Sequence, residues 1–199
     1  MTWRASRVRV SLQTLLIVNP AAGGGRAARA LDRVLEELAP LRPFDVFVTQ
    51  PGLERPAERA AFEAVHAGAT QILVLGGDGS SSQAVNGIYA AGGVEALGRV
   101  ALGLLPAGTG RDYARSAGIS RDPVAAARML ARGAAVRRVD VGVVHLAGGV
   151  ERLFLNVASF GISAQIAHAL EEYPTTEAPC WRCCVWARHR ARRVEICAG

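Results

Sequence analysis

Residues 73–87 read LVLGGDGSSSQAVNG, an apolar run that passes straight into glycines, one aspartate and three serines. Glycine lets backbone N–H groups turn toward an anion, and it admits a phosphate oxygen where a Cβ would stand in the way. A carboxylate in such a loop repels phosphate unless a cation lies between them. Mg²⁺ is the natural mediator, so Asp78 would hold the metal, directly or through water, or take the proton from an attacking hydroxyl. Taken alone, Gly77-Asp78-Gly79 reads first as a tight turn closed by an Asx hydrogen bond. Two further stretches shift the balance: "LLIV" leads into Asn19-Pro20-Ala21-Ala22-Gly23-Gly24-Gly25, and "LGLL" into Pro106-Ala107-Gly108-Thr109-Gly110. Three apolar runs therefore each end in a loop of small residues, and a phosphate site built from all three is the expectation.

The elements that must position these loops follow from periodicity. Short apolar runs, mostly branched, at 14–18, 44–49, 71–75 and 100–105 stop at Gly, Pro, Asn or Gln and predict strands. Between them, residues 26–39, 54–67 and 81–91 carry apolar side chains at helical spacing, as does 123–131 after the last strand. Alternating strands and helices predict an α/β fold with a parallel sheet covered on both faces, whose strands all end along one edge. In such a sheet the ligand crevice lies outside that edge, which is where the three loops converge. The helix starting near Ser81 adds the positive end of its dipole.

After residue 132 the pattern changes. "VRRVDVGVV" (136–144), the turn "LAGGV" and "RLFLNVAS" (152–159) predict a β-hairpin. The expected division is an α/β domain over 12–132, the start of a β-rich second domain over 133–172, and an Arg- and Cys-rich tail over 173–199. The tail shows no convincing period, resembles out-of-frame translation of a GC-rich gene, and is expected to be disordered. A hairpin alone is marginally stable. Without visible partners it is expected to expose unpaired N–H and C=O groups beside "LFLNV", and the second domain is expected to be incomplete.

Composition removes several functions. All 23 basic residues are arginine, so a Walker A loop, a protein-kinase strand lysine and a Schiff base are impossible. The net charge of +6 arises at the ends, and residues 10–172 hold as many acids as arginines, which disfavours nucleic acid as a partner. No apolar run approaches the roughly 20 residues that span a bilayer. The expectation is a cytoplasmic chain, able at most to touch a membrane peripherally through its arginine tail. Cys180, Cys183, Cys184 and Cys197 lack a second ligand pair at zinc spacing. His66, His145 and His168 have no metal-spaced partner, and nothing in the sequence bears on oligomeric state.

"IVNPAAGGG", "LGGDGSSSQAVNG" and "LPAGTGRDYAR", in this order and spacing, resemble the catalytic domain of the diacylglycerol kinase family, which includes bacterial lipid kinases and sphingosine kinases. "RRVDVG" and "FLNVASFGISA" resemble the opening of that family's second domain. The resemblance implies an ATP site formed by Asn19, Gly76, Gly77, Asp78, Gly79, Ser80 and Thr109, to which the loop reading adds Gly24 and Gly108. It implies Asp78 near Mg²⁺ and the phosphates, and phosphoryl transfer to a lipid alcohol such as diacylglycerol at a membrane surface. The competing expectations are a truncated, non-catalytic nucleotide-binding remnant, or a sphingoid-base or NAD kinase-like relative. Three positions depart from the family: Ser80 stands for the usual Thr, Gln83 for Glu, and Arg111-Asp112 for Asn-Asp. Arg111 is left to pair with Asp112, to reach a phosphate, or to sit solvated at the surface.

Overall fold

The computed structural model describes residues 13–156, 158 and 192–197. Its centre is four parallel strands, β1 (Thr14–Val18), β2 (Asp45–Val48), β3 (Gln71–Gly76) and β4 (Ala101–Pro106), in the order β2-β1-β3-β4. Leu16, Ile17, Leu73, Leu75, Leu102 and Leu105 are completely buried. Continuous rather than alternating burial requires cover on both faces of the sheet. Helices α1 (Ala22–Glu37) and α5 (Pro123–Ala131) pack together, as do α2 (Pro56–His66) and α3 (Asp78–Arg99). These two pairs supply the cover that the strands require.

The chain leaves β1 toward β2 on one side and returns past it to β3 on the other, so the order reverses between β1 and β3. The loops after these two strands diverge there and leave a crevice at the sheet's C-terminal edge. Helix α3 begins at Asp78, three residues before the expected start, and it continues past a break at Gly92 and Gly93 to Arg99. A short helix not foreseen from the sequence, α4 (Asp112–Ser116), follows the third loop.

The hairpin forms as expected: β5 (Val136–His145) and β6 (Glu151–Phe154) pair antiparallel, with Gly142 opposite Phe154. The Phe154 ring lies over Gly142, where a Cβ would meet ring carbons at 2.1 to 2.6 Å. The expectation that this hairpin lacks partners is corrected on both sides. The Asn86 amide of α3 donates to the Leu153 carbonyl at 2.8 Å and accepts from the Leu153 N–H at 2.9 Å, closing the exposed side of β6 as a neighbouring strand would. Arg152 grips Glu58 of α2 through two bonds of 2.8 and 2.6 Å, and the Tyr89 hydroxyl donates to Glu151 at 2.6 Å.

Six residues of the tail expected to be disordered instead form a strand, β7 (Arg192–Cys197). It runs parallel to β4 and antiparallel to β5, joining the two parts into a seven-stranded sheet of order β2-β1-β3-β4-β7-β5-β6. The open side of β4 presents unpaired backbone groups that a six-residue segment with Val194 and Ile196 can satisfy. Residues 157 and 159–191, with Cys180, Cys183, Cys184 and His168, lie outside the described residues.

Candidate active site

The crevice is held shut at its base by backbone and small side chains. The Asn19 N–H donates to the Leu75 carbonyl at 2.9 Å, which carries β1–β3 pairing one step past the strand end. The Asn19 side chain then serves two loops at once. Its Oδ1 accepts from the Ala21 N–H at 3.2 Å, and its Nδ2 donates to Ser80 Oγ at 3.1 Å. The Ser80 hydroxyl is thus already engaged across the crevice.

The third loop is drawn in by bonds from the Ala107 and Gly108 N–H groups to the Gly76 carbonyl, at 2.8 and 3.1 Å. Contact here depends on missing side chains. A Cβ on Gly108 would lie 2.6 Å from Gly77 Cα, and one on Gly23, whose φ is +61°, would lie 2.1 Å from the Ala107 carbonyl oxygen. Arg26, the residue after the glycine triplet, completes the knot by donating to the carbonyls of Gly108 (2.9 Å) and Ala107 (3.3 Å). Asn19, Gly76, Gly77, Asp78, Ser80 and Gly108 are therefore brought together, whereas Gly24 and Thr109 sit exposed on the first and third loops.

Gly77 is extended and precedes α3 without a side-chain cap, and Asp78, Gly79 and Ser80 form the first turn. The first N–H groups of a helix have no carbonyl partner within it, so this turn offers donors and a positive dipole end to an anion. Asp78 Oδ2 accepts from the Asp112 N–H at 3.4 Å. A Cβ on Gly110 would lie 3.2 Å from Asp112 Oδ2 and 3.4 Å from Asp78 Oδ2, so both carboxylates border one glycine. Among the described residues there is no cluster of three or more His, Cys, Asp or Glu.

In front of this turn lies a cleft of about 330 Å³ lined by Asp78, Gly79, Ser81, Ser82, Tyr113, Phe154, Leu155 and Asn156. Its lining joins the Asp78 carboxylate to the apolar Phe154 and Leu155, at and just after the end of β6. Burial pushes the Tyr113 phenol up to about 12, so this wall is neutral at ordinary pH. Sequence reading missed Tyr113, Phe154, Leu155 and Asn156 as cleft residues, because side chains from α4 and the hairpin meet α3 only through tertiary packing. Arg26 was within reach of the sequence, as the first charged residue after the glycines.

The three departures are accommodated differently. Gln83 Oε1 accepts from the Ala57 N–H at 3.2 Å, a bond to the first turn of α2. Asp112 pairs with Arg115 at 2.8 Å rather than with Arg111. Arg111 donates to the Arg121 carbonyl at 3.1 Å. Neither histidine tested by the structure sits in the crevice: His66 stacks near Phe62 with ring centroids 4.3 Å apart, and His145 lies 3.3 Å from Glu151.

A parallel α/β sheet thus carries a glycine-lined crevice at its switch point, with a β-hairpin in front of it. Residues 13–144 match the family described as "Diacylglycerol kinase catalytic domain", and the chain belongs to that family. The chain is 32% identical over 151 residues to a diacylglycerol kinase of Mycobacterium tuberculosis, an alignment covering 75% of this chain and 46% of that protein. It is 30% identical over 154 residues to a Pseudomonas aeruginosa protein named "Probable lipid kinase YegS-like", covering 77% and 46%. "Sphingoid long-chain bases kinase 1" of Arabidopsis thaliana also aligns, at 24% identity over 84% of this chain and 22% of its own length. A crystal structure of a diacylglycerol kinase from Bacillus anthracis superposes with a TM-score of 0.56 at 28% identity, covering 65% of this chain and 44% of that one. The chain spans about half the length of the first of these relatives. No helix among the described residues is long and apolar enough to cross a membrane.

Proposed function

We propose that this chain is an ATP-dependent lipid kinase domain, which transfers the γ-phosphoryl group of ATP to the hydroxyl of diacylglycerol or a related lipid alcohol. The observation that carries this reading is the junction of two unlike regions at Asp78, with a backbone-lined anion crevice behind it and a partly apolar cleft in front. A phosphoryl donor and a lipid acceptor need such neighbouring surfaces, because transfer proceeds from reacting groups held within contact distance.

In this reading the ATP phosphates lie against Gly76, Gly77, Gly79, Ser80 and Gly108, with Asn19 fixing the distance between the first and second loops and Gly24 and Thr109 at the rim. Asp78, with Asp112 beside it, suits Mg²⁺. That ion keeps several waters and is bound through one or two carboxylates together with phosphate oxygens, so a larger donor cluster is not required. When bound, Mg²⁺ neutralises charge on the phosphates. Asp78 also faces the cleft where the acceptor hydroxyl would sit, and can orient that hydroxyl or take its proton. Phe154 and Leu155 exclude water from the same space and give an acyl chain an apolar surface.

The test is to supply the purified chain with radiolabelled ATP, Mg²⁺ and either diacylglycerol or sphingosine in detergent micelles. The reading expects labelled lipid, with diacylglycerol preferred, and its loss in Asp78→Asn. ATP hydrolysis without any lipid product, under conditions where the protein is folded, would count against a lipid acceptor.

A further inference from the structure

Three guanidinium groups from separate segments line one groove on the α1 and α5 side of the sheet edge. Arg26 comes from the first turns of α1, Arg111 from the third loop and Arg121 from the segment before α5, and together with Asp122 and Pro123 they border a space of about 470 Å³. Like charges gathered in this way destabilise the fold unless something offsets them. Among the described residues, no carboxylate forms an ion pair with any of the three arginines. Arg26 donates to the carbonyls of Ala107 and Gly108, and Arg111 donates to the carbonyl of Arg121. The one acid lining the groove, Asp122, uses Oδ1 to accept from the Val124 N–H and so caps α5.

Arg111 is the central member. Its Nε is buried and has no hydrogen-bond partner, a condition that normally calls for a missing acceptor. Burial, with Arg26 and Arg121 adding to it, pulls its guanidinium below the usual value, the direction expected of a cation held among cations. Arg111 also lines the small space beneath Gly76, Gly77 and Asp78, so it borders the crevice on one side and the groove on the other.

We propose that this groove is a second anion site, separate from the crevice at Asp78, which binds a phosphate group carrying two or more negative charges. Arginine forks match phosphate oxygens with paired N–H donors, and three of them exceed what a single carboxylate demands. The phosphate can belong to a soluble molecule or to a lipid headgroup. Because Arg111 touches both spaces, occupancy of the groove also fixes the wall of the crevice.

Calorimetric titration of the whole chain with pyrophosphate, in EDTA so that no metal is present, tests the proposal. Saturable binding of one pyrophosphate is expected, weakened at least tenfold in Arg121→Gln and in Arg111→Asn, a side chain that tolerates the left-handed backbone at that position. Asp78→Asn is expected to leave this binding unchanged; tighter binding in that variant would place the pyrophosphate in the crevice at Asp78 and overturn the proposal. Competition by vesicles containing phosphatidic acid, but not by phosphatidylcholine alone, would assign the phosphate to a lipid; absence of competition would assign it to a soluble molecule. The proposal is overturned if wild type does not bind pyrophosphate, or if Arg121→Gln, with an unchanged unfolding midpoint, binds it as tightly as wild type.

Discussion

Gly108 and Gly77 approach so closely that one added methyl cannot be absorbed by a flexible neighbour, because the nearest atom is backbone Cα at 2.6 Å. Gly108→Ala is therefore expected to push the third loop off the second and to lower stability by about 1–3 kcal/mol, in the range of overpacking substitutions. A drop in the thermal midpoint checks this, and an unchanged midpoint would show that the loops do not meet as described. Tyr113 gives a second residue-scale expectation. Its phenol is pushed from 10.0 up to about 12 by burial. Burial therefore favours the neutral form in the folded chain, and the linked contribution to stability is fully present below pH 10 and lost as pH rises through about 12. Urea unfolding at pH 9 and pH 11 should show a loss that is smaller in Tyr113→Phe. At this scale the site was legible wherever chemistry depended on missing side chains, since glycines after a strand are visible in one dimension. Arg111 left three readings open in the sequence, because its partner, the Arg121 carbonyl, is brought near only by the path of the intervening chain.

At the scale of elements, three α3 side chains join the helix to the hairpin, Ser82 and Tyr89 by one bond each and Asn86 by two. Asn86 is 4% exposed and Leu153 2% exposed, so the two bonds between them are made out of water. Asn86→Leu keeps the volume but orphans the Leu153 N–H and leaves the Leu153 carbonyl only the 3.4 Å bond from Ser82, at a cost of about 1–3 kcal/mol. Hydrogen exchange at the Leu153 amide should accelerate far more than exchange in β1 or β3. Equal protection would mean that β6 does not rely on this clamp. Strands β1, β3 and β4 were readable because burial on both faces imposes uninterrupted apolar runs, and α5 because Asp122 and Pro123 mark its start. The clamp was not readable: Asn86 and Leu153 stand 67 positions apart, and an asparagine within a helix carries no mark of what it bonds. Strand β7 escaped because six residues among arginines present too short an alternation to stand out from a charged segment.

For the molecule as a whole, the anion crevice, the cleft at Asp78 and the arginine groove lie together at the end of one sheet, with the hairpin anchored to the helix that begins at Asp78. Membership of the diacylglycerol kinase catalytic domain family rests on residues 13–144, which contain all three loops. The proposed function requires that Asp78 couple a metal ion to nucleotide phosphates in that crevice. Calorimetric titration of ATP into the chain, with Mg²⁺ and with EDTA, against wild type and Asp78→Asn, measures this directly. The expected result is binding at least tenfold tighter with Mg²⁺ in wild type, and a much smaller metal effect in Asp78→Asn. Equal ATP affinity with and without Mg²⁺ in wild type, or an undiminished metal effect in the variant, would contradict it.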